Sequence, residues 1–164
     1  MKAWLGIGSN LQQPAAQVSE ALNRLANTSG IGILAISSFY HTPPWGDEQQ
    51  GDFVNAVVQI ETSLEPVALL RELQAIENLM GRIRSERRWG PRLIDIDLLL
   101  YADQQLHLDE LEIPHPRMHE RAFVLVPLAE LDAKLEIPGR GSVSDYLQQI
   151  DCNGIRRLAN EDLD

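Results

Sequence analysis

The run RLIDIDLLLY (92–101) constrains the fold more than any other stretch of the chain. As a strand it puts Ile94, Ile96, Leu98 and Leu100 on one face and Asp95, Asp97, Leu99 and Tyr101 on the other. The first face demands a layer packed against it. The second carries two carboxylates whose Cα atoms are roughly 6.6 Å apart, which repel unless water or a cation separates them.

The segments around it set the order of elements. Residues 2–8 (KAWLGIG) read as a buried strand, ended by Ser9 and Asn10. Residues 14–26 place Val18, Ala21, Leu22 and Leu25 at helical spacing behind Pro14, and Thr28-Ser29-Gly30 breaks the helix. Residues 32–40 read as a second strand, 41–52 as a loop with a double proline, and 53–62 as a third strand. Residues 65–80 make the clearest helix, opened by Pro66, faced by Leu70, Leu73, Ile76 or Glu77 and Met80, and stopped by Gly81. After the 93–101 strand come an extended stretch (106–114) and a helical or mixed segment through Leu131. A PGRGS turn (138–142) and a short last helix (142–150) complete the order.

No helix separates the second and third strands, so they are expected to pair antiparallel. The predicted class is α+β: a ferredoxin-like β-α-β-β-α-β sandwich with helices on one sheet face and additional strand and helix elements at the C-terminal end. At 164 residues, a single domain over 1–164 is expected.

Hydrophobic residues make up 44% and charged residues 23%, as in ordinary globular proteins. No apolar run is long enough to span a bilayer, and the N-terminus reads as a strand rather than a signal peptide. A cytoplasmic monomer without membrane association is the expectation. Cys152 is the only cysteine, which excludes an intrachain disulfide and a cysteine metal cluster. The net charge of −10 disfavours nucleic acid as a partner. Yet Arg82, Arg84, Arg87, Arg88 and Arg92, five of the 14 basic residues, fall within one short loop. A cationic loop on an acidic protein suits a compact anionic ligand; a solvated charged loop is the plain alternative.

Adjacent carboxylates on a strand suit magnesium, which takes one or two of them, keeps waters and completes its octahedron with phosphate oxygens. By itself Asp-x-Asp is a weak signal, and the polar face of a half-exposed strand explains it too. The arginines immediately before it shift the balance, because a guanidinium forks onto phosphate oxygens and stays charged. Magnesium and arginine together suit phosphoryl-type transfer, in which the protein positions groups and neutralises charge. The glycine and proline of the loop leave it able to close over a ligand.

Other residues join this list more weakly. His115 is held between Pro114 and Pro116, and Gln74 and Glu77 share a helix face. Asn55 falls on the Phe53 and Val57 face of an apolar strand, where a buried amide needs partners. Phe53, Phe123, Trp45 and Trp89 are candidates for stacking on a flat ring, each with packing as the simpler reading. His41, His107 and His119 show no metal-ligand spacing.

GIGSNL (6–11), SSFYHTPPWG (37–46), DFVNAVV (52–58), IENLMGRIR (76–84), RRWGPRLIDIDLLLY (87–101) and IPHPRMHERAFVLVPLAEL (113–131) together resemble the 6-hydroxymethyl-7,8-dihydropterin pyrophosphokinases of folate biosynthesis. The resemblance implies attack of the pterin hydroxymethyl oxygen on the β-phosphorus of ATP, with release of AMP. It implies that Asp95 and Asp97 bind two Mg2+ ions bridging the ATP phosphates, with Arg82 and Arg92 on the migrating group. Arg84 and Arg88 would assist phosphate contact or loop closure, His115 and Arg121 would reach ATP phosphates, and Gln74, grouped with ATP, would lie with Glu77 along the substrate side. Phe53 and Phe123 would stack the pterin and Asn55 would read its edge. Thr42, Pro43 and Trp45 would close that pocket, and Trp89 would ride on the moving loop. Whether Asp97 also accepts the hydroxyl proton stays open. Gln12 and Ala102 stand where the family commonly has glycine, and the loop 46–52 has its own sequence.

Two other classes compete. Another Asp-x-Asp metal-dependent transferase would need a nucleotide-binding α/β fold. A ferredoxin-like nucleic-acid-binding module would need a basic face with exposed aromatics, which the net charge opposes.

Overall fold

The computed structural model describes residues 1–11, 13–43, 51–81 and 93–159. Its strands are β1 (Lys2–Ser9), β2 (Ile31–Ile36), β3 (Tyr40–Thr42), β4 (Phe53–Thr62), β5 (Asp95–Tyr101), β6 (Leu106–His107), β7 (Glu112–Ile113), β8 (Glu136–Ile137), β9 (Gly141–Ser142) and β10 (Arg156–Arg157). Its helices are α1 (Pro14–Ala26), α2 (Pro66–Leu79), α3 (Ala122–Asp132) and α4 (Val143–Leu147), with a 3-10 turn at Met118–Glu120. Among the described residues the main sheet runs β10-β3-β4-β1-β5, with β2 also on β4. Its pairings are antiparallel. The chain is thus a mixed α and β fold built on an antiparallel sheet.

The helices form where the apolar spacing requires. α1 opens at Pro14, whose missing N–H costs nothing in a first turn, and buries Val18, Ala21, Leu22 and Leu25. α2 opens at Pro66, buries Leu69, Leu73, Ile76 and Glu77, and gives way to Gly81 at φ 84°. Both pack on the sheet face formed by Leu5, Ile7, Val58, Ile60, Ile96 and Leu98. The expectation of helices on one face holds for these two. α3 covers part of the opposite face, where Val124, Leu125 and Leu128 meet Trp4, Val57, Leu99 and Leu100. The sheet is therefore buried on both sides near its middle.

Two departures from simple alternation shape the site. The predicted strand 32–40 is two strands, β2 and β3. Ser37 breaks it: its N–H donates to the Val57 carbonyl, while its hydroxyl oxygen accepts the Val57 N–H at 2.9 Å. The second departure lies in β5. Leu5 pairs with Leu98 and Trp4 with Leu100, so Leu99 is an extra residue. Leu99 and Leu100 consequently both face α3, and Tyr101 crosses to the α1–α2 face. This corrects the expectation that Tyr101 shares the face of Asp95 and Asp97. The Tyr101 hydroxyl donates to the Leu64 carbonyl at 2.6 Å. The Leu99 carbonyl accepts the His115 N–H at 2.9 Å, so the bulge pins the segment that follows β7. Ala102 adopts φ 49°, a left-handed conformation that glycine takes more readily than alanine.

The Tyr101 contact gives a direct check of the bulge. Tyr101→Phe leaves the Leu64 carbonyl without its donor and is expected to cost about 1–3 kcal/mol in urea unfolding. An unchanged unfolding midpoint would put the hydroxyl on the other face and contradict the bulge.

Candidate active site

Three neighbouring strands make the floor of the site. Gly8 of β1 pairs with Asp95 on one side and Asn55 on the other; Gly6 pairs likewise with Asp97 and Val57. Glycines spaced two apart remove every side chain from the middle of this floor. A Cβ on Gly8 would lie 2.3 Å from the Asn55 side-chain oxygen, so any larger residue there would displace the Asn55 amide. A cavity opens over the strip, walled by Phe53, Phe123, Pro43, Asn55, Arg121 and the two aspartates. The two glycines of the GIG motif are functional positions that the resemblance alone leaves without a role. Their two-residue period inside an apolar strand was the available signal.

The amide of Asn55 is buried and donates to the Thr42 hydroxyl at 2.7 Å. Thr42 thus stands behind Asn55 and orients it. Phe123 lies beside a guanidinium, with the Arg121 Cζ 5.6 Å from its ring centre. A ligand in this cavity meets two aromatic rings, one amide edge and, at one end, charge.

That charge is arranged. Arg121 is only 6% exposed in its side chain and lies 3.7 Å from an Asp97 carboxylate that is 32% exposed. Burial lowers the Arg121 pKa, and Asp97 and then Asp95 pull it back. Behind the strand, Glu77 of α2 is buried, and its carboxylate accepts the Ile96 N–H at 3.2 Å. Ile96 lies between the aspartates, so Glu77 braces the backbone that presents them. Glu77 is therefore neither a solvated residue nor a wall of the first cavity.

A second cavity lies on the far side of Asp97, along β5, which is a sheet edge among the described residues. Leu70, Ile96, Leu98, Leu108 and Leu111 line it together with Asp97, Asp109, Glu110, Glu112 and His115. Gln74 sits one turn beyond Leu70 and accepts a hydrogen bond from Arg71 at 3.1 Å. Arg71 also forms an ion pair with Glu110 of the β6–β7 hairpin. His115 accepts the Arg117 N–H on Nδ1 at 3.1 Å, which leaves Nε2 as the protonated nitrogen of the neutral ring. Burial, followed by the nearby Arg121 charge, lowers its pKa to about 4 against the partial opposition of Asp95. His115 is a neutral donor at physiological pH.

Asp95, Asp97, Arg121, His115, Asn55, Phe53, Phe123 and Pro43 are thus brought together around two cavities that meet at Asp97. Arg82, Arg84, Arg88, Arg92, Trp45 and Trp89 lie outside the described residues. Among the described residues no group of three or more His, Cys, Asp or Glu side chains forms a metal cage. Two carboxylates alone fit a cation that takes its remaining ligands from water and a bound phosphate.

The model of the 7,8-dihydro-6-hydroxymethylpterin-pyrophosphokinase family matches residues 4–133. The chain belongs to this family. This pyrophosphokinase is 48% identical over 157 residues to the 2-amino-4-hydroxy-6-hydroxymethyldihydropteridine pyrophosphokinase of Methylorubrum extorquens, covering 96% of this chain and 98% of that one. It is 44% identical over 147 residues to the Haemophilus influenzae enzyme of the same name, covering 90% and 91%. Its fold superposes on the wild-type Plasmodium falciparum HPPK-DHPS solved with SDX-DHP, at a TM-score of 0.72 and 17% identity. That match covers 95% of this pyrophosphokinase but only 47% of the Plasmodium chain, and it concerns the fold alone.

The His115 environment fixes a pH dependence. Between the ordinary value of 6.5 and about 4, the unfolded chain binds a proton that the folded chain refuses. Stability contributed by this site is therefore full above that window and falls as pH falls through it. Nuclear magnetic resonance of the imidazole protons should give a midpoint near 4 for His115. A midpoint at or above 6.5 would contradict the buried, neutral ring.

Proposed function

We propose that this pyrophosphokinase binds 6-hydroxymethyl-7,8-dihydropterin in the first cavity and receives ATP from the second, with transfer at Asp95 and Asp97. The activity follows from the family: ATP-dependent pyrophosphoryl transfer to hydroxymethyldihydropterin in folate biosynthesis. The observation that carries the site assignment is the meeting of the two cavities at Asp97. One cavity offers two aromatic rings and an amide edge to a flat, hydrogen-bonding ring; the other sets leucine and isoleucine side chains beside a neutral histidine and the acidic residues of the β6–β7 hairpin.

In this reading the pterin lies between Phe53 and Phe123, and the Asn55 amide, oriented by Thr42, reads its polar edge. Pro43 and Trp45 close the mouth. Arg121 and His115 meet the phosphates as one cation and one neutral donor, and Gln74 lies on the nucleotide side. Arg82, Arg84, Arg88 and Arg92 would supply the remaining positive charge from the sequence preceding β5. The hydroxymethyl oxygen bonds to the β-phosphorus, the bond from that phosphorus to the oxygen shared with the α-phosphate breaks, and AMP leaves. The hydroxyl proton departs to solvent or to Asp97. Asp95 and Asp97 would hold two Mg2+ ions, which when bound neutralise the phosphates and fix them in line. Orientation and water exclusion by this chain account for the rest of the rate. We read residues 1–164 as a single functional unit on a ferredoxin-like core, which the strand order and antiparallel pairing support.

Product analysis tests the reaction and the site together. The wild-type protein with ATP, magnesium and the hydroxymethyldihydropterin should yield AMP and pterin diphosphate in equal amounts. Asp97→Asn keeps the volume beside buried Arg121 and should lower turnover by about 10²–10³-fold or more with little change in fold. ADP as product would overturn the reaction, and near-normal turnover of the variant would overturn the aspartate assignment.

A further inference from the structure

The aromatic slot has one wall on the sheet and one on α3, so something must set its width. Phe53 belongs to β4, whereas Phe123 opens α3. Glu130 lies seven residues beyond Phe123 in the same helix, two turns on and on the same side. Its carboxylate accepts three hydrogen bonds from the neighbouring strand segment. These come from the Ser38 N–H at 2.8 Å, the Ser38 hydroxyl at 3.1 Å and the Tyr40 hydroxyl at 2.5 Å. Arg157 of β10 adds a fourth contact at 3.5 Å.

Ser38 and Tyr40 stand where the chain bends from β2 into β3. Tyr40 pairs with Asn55, and Thr42 pairs with Phe53. β10 pairs with the other edge of β3, and the Leu158 N–H donates to the Phe39 carbonyl at 2.8 Å. Glu130 therefore clamps α3 to the strand that aligns Asn55, Thr42 and Pro43. Burial opposes its charge, but the bonds from Tyr40 and Ser38 outweigh that, and its pKa lies below the ordinary carboxylate value. The Tyr40 hydroxyl moves the other way, raised by burial and then by its bond to Glu130.

We propose that Glu130 is a positioning residue for the pterin: it fixes the spacing between Phe123 on α3 and the Phe53–Asn55 wall, without touching substrate. The inference rests on the assignment of the pterin to the first cavity. It predicts an effect confined to one substrate. A half-ångström change in slot width weakens stacking on the ring but leaves the β5 edge cavity unaltered.

The test is equilibrium binding of a fluorescent 6-hydroxymethylpterin and, separately, of a non-hydrolysable ATP analogue. Glu130→Ala should weaken pterin binding about tenfold and raise the pterin KM similarly, with ATP-analogue binding within about twofold of wild type. Glu130→Gln keeps an acceptor for Ser38 and a partner for Tyr40, and should recover most of the affinity. Tyr40→Phe removes one bond without disturbing the ring and should give an intermediate loss. Leu25→Ala, in the core beneath α1 on the opposite sheet face, should lower stability without discriminating between the ligands. Equal losses for both ligands, a pterin-selective loss in Leu25→Ala, or unchanged pterin binding in Glu130→Ala and Tyr40→Phe would each overturn the positioning role. Phe123→Ala separates the two levels. If it leaves pterin binding intact, the slot assignment itself fails; if it weakens binding while the Glu130 variants do not, only the clamp fails.

Discussion

A buried guanidinium beside two carboxylates is the interaction on which the site depends. Two aspartates on one strand face repel each other. Arg121, 3.7 Å from Asp97, offsets that repulsion from within the protein. The guanidinium in turn is tolerable in its buried position only because those carboxylates face it. Strand β5 holds the two aspartates in register: Gly6 and Gly8 beside it line the cavity, and Glu77 accepts the Ile96 N–H behind it.

The same geometry separates the two substrates. β5 lies at the sheet edge among the described residues, and Asp97 lines both the glycine-floored cavity and the cavity beside the β6–β7 hairpin. The bulge at Leu99 connects them. Its spare carbonyl holds the His115 N–H, which places the histidine in the lining of the second cavity. The extra residue also turns Leu100 toward α3, the helix that carries Phe123. One inserted residue thus serves both cavities.

Much of this was legible in the chain itself. Val18, Ala21, Leu22 and Leu25 are the buried face of α1, as their spacing requires. The paired aspartates share a face, and Phe53, Asn55 and Phe123 line one cavity with them. What periodicity could not reveal is where alternation fails. A bulge adds a residue without any marker in LLL, so Tyr101 was assigned to the wrong face. Ser37 looks like any strand residue until its hydroxyl replaces a ladder acceptor. Glu77 was visible as a helix residue next to Gln74, but its turn inward depends on Ile96, 19 residues away. The Glu130 clamp spans 90 residues to Tyr40 and leaves no local trace. The arginines at 82, 84, 88 and 92 lie outside the described residues, so their part rests on the sequence pattern and its chemistry.

The central claim is that Asp95 and Asp97, rather than any other acidic group, hold the cation that accompanies the nucleotide. The acidic stretch Asp109, Glu110 and Glu112 borders the second cavity and is the natural rival. Manganese added with a non-hydrolysable ATP analogue would broaden amide resonances nearest the bound ion. The account requires that broadening to centre on residues 94–98 and 121–123. Broadening centred on residues 109–112, with the β5 amides unaffected, would contradict it.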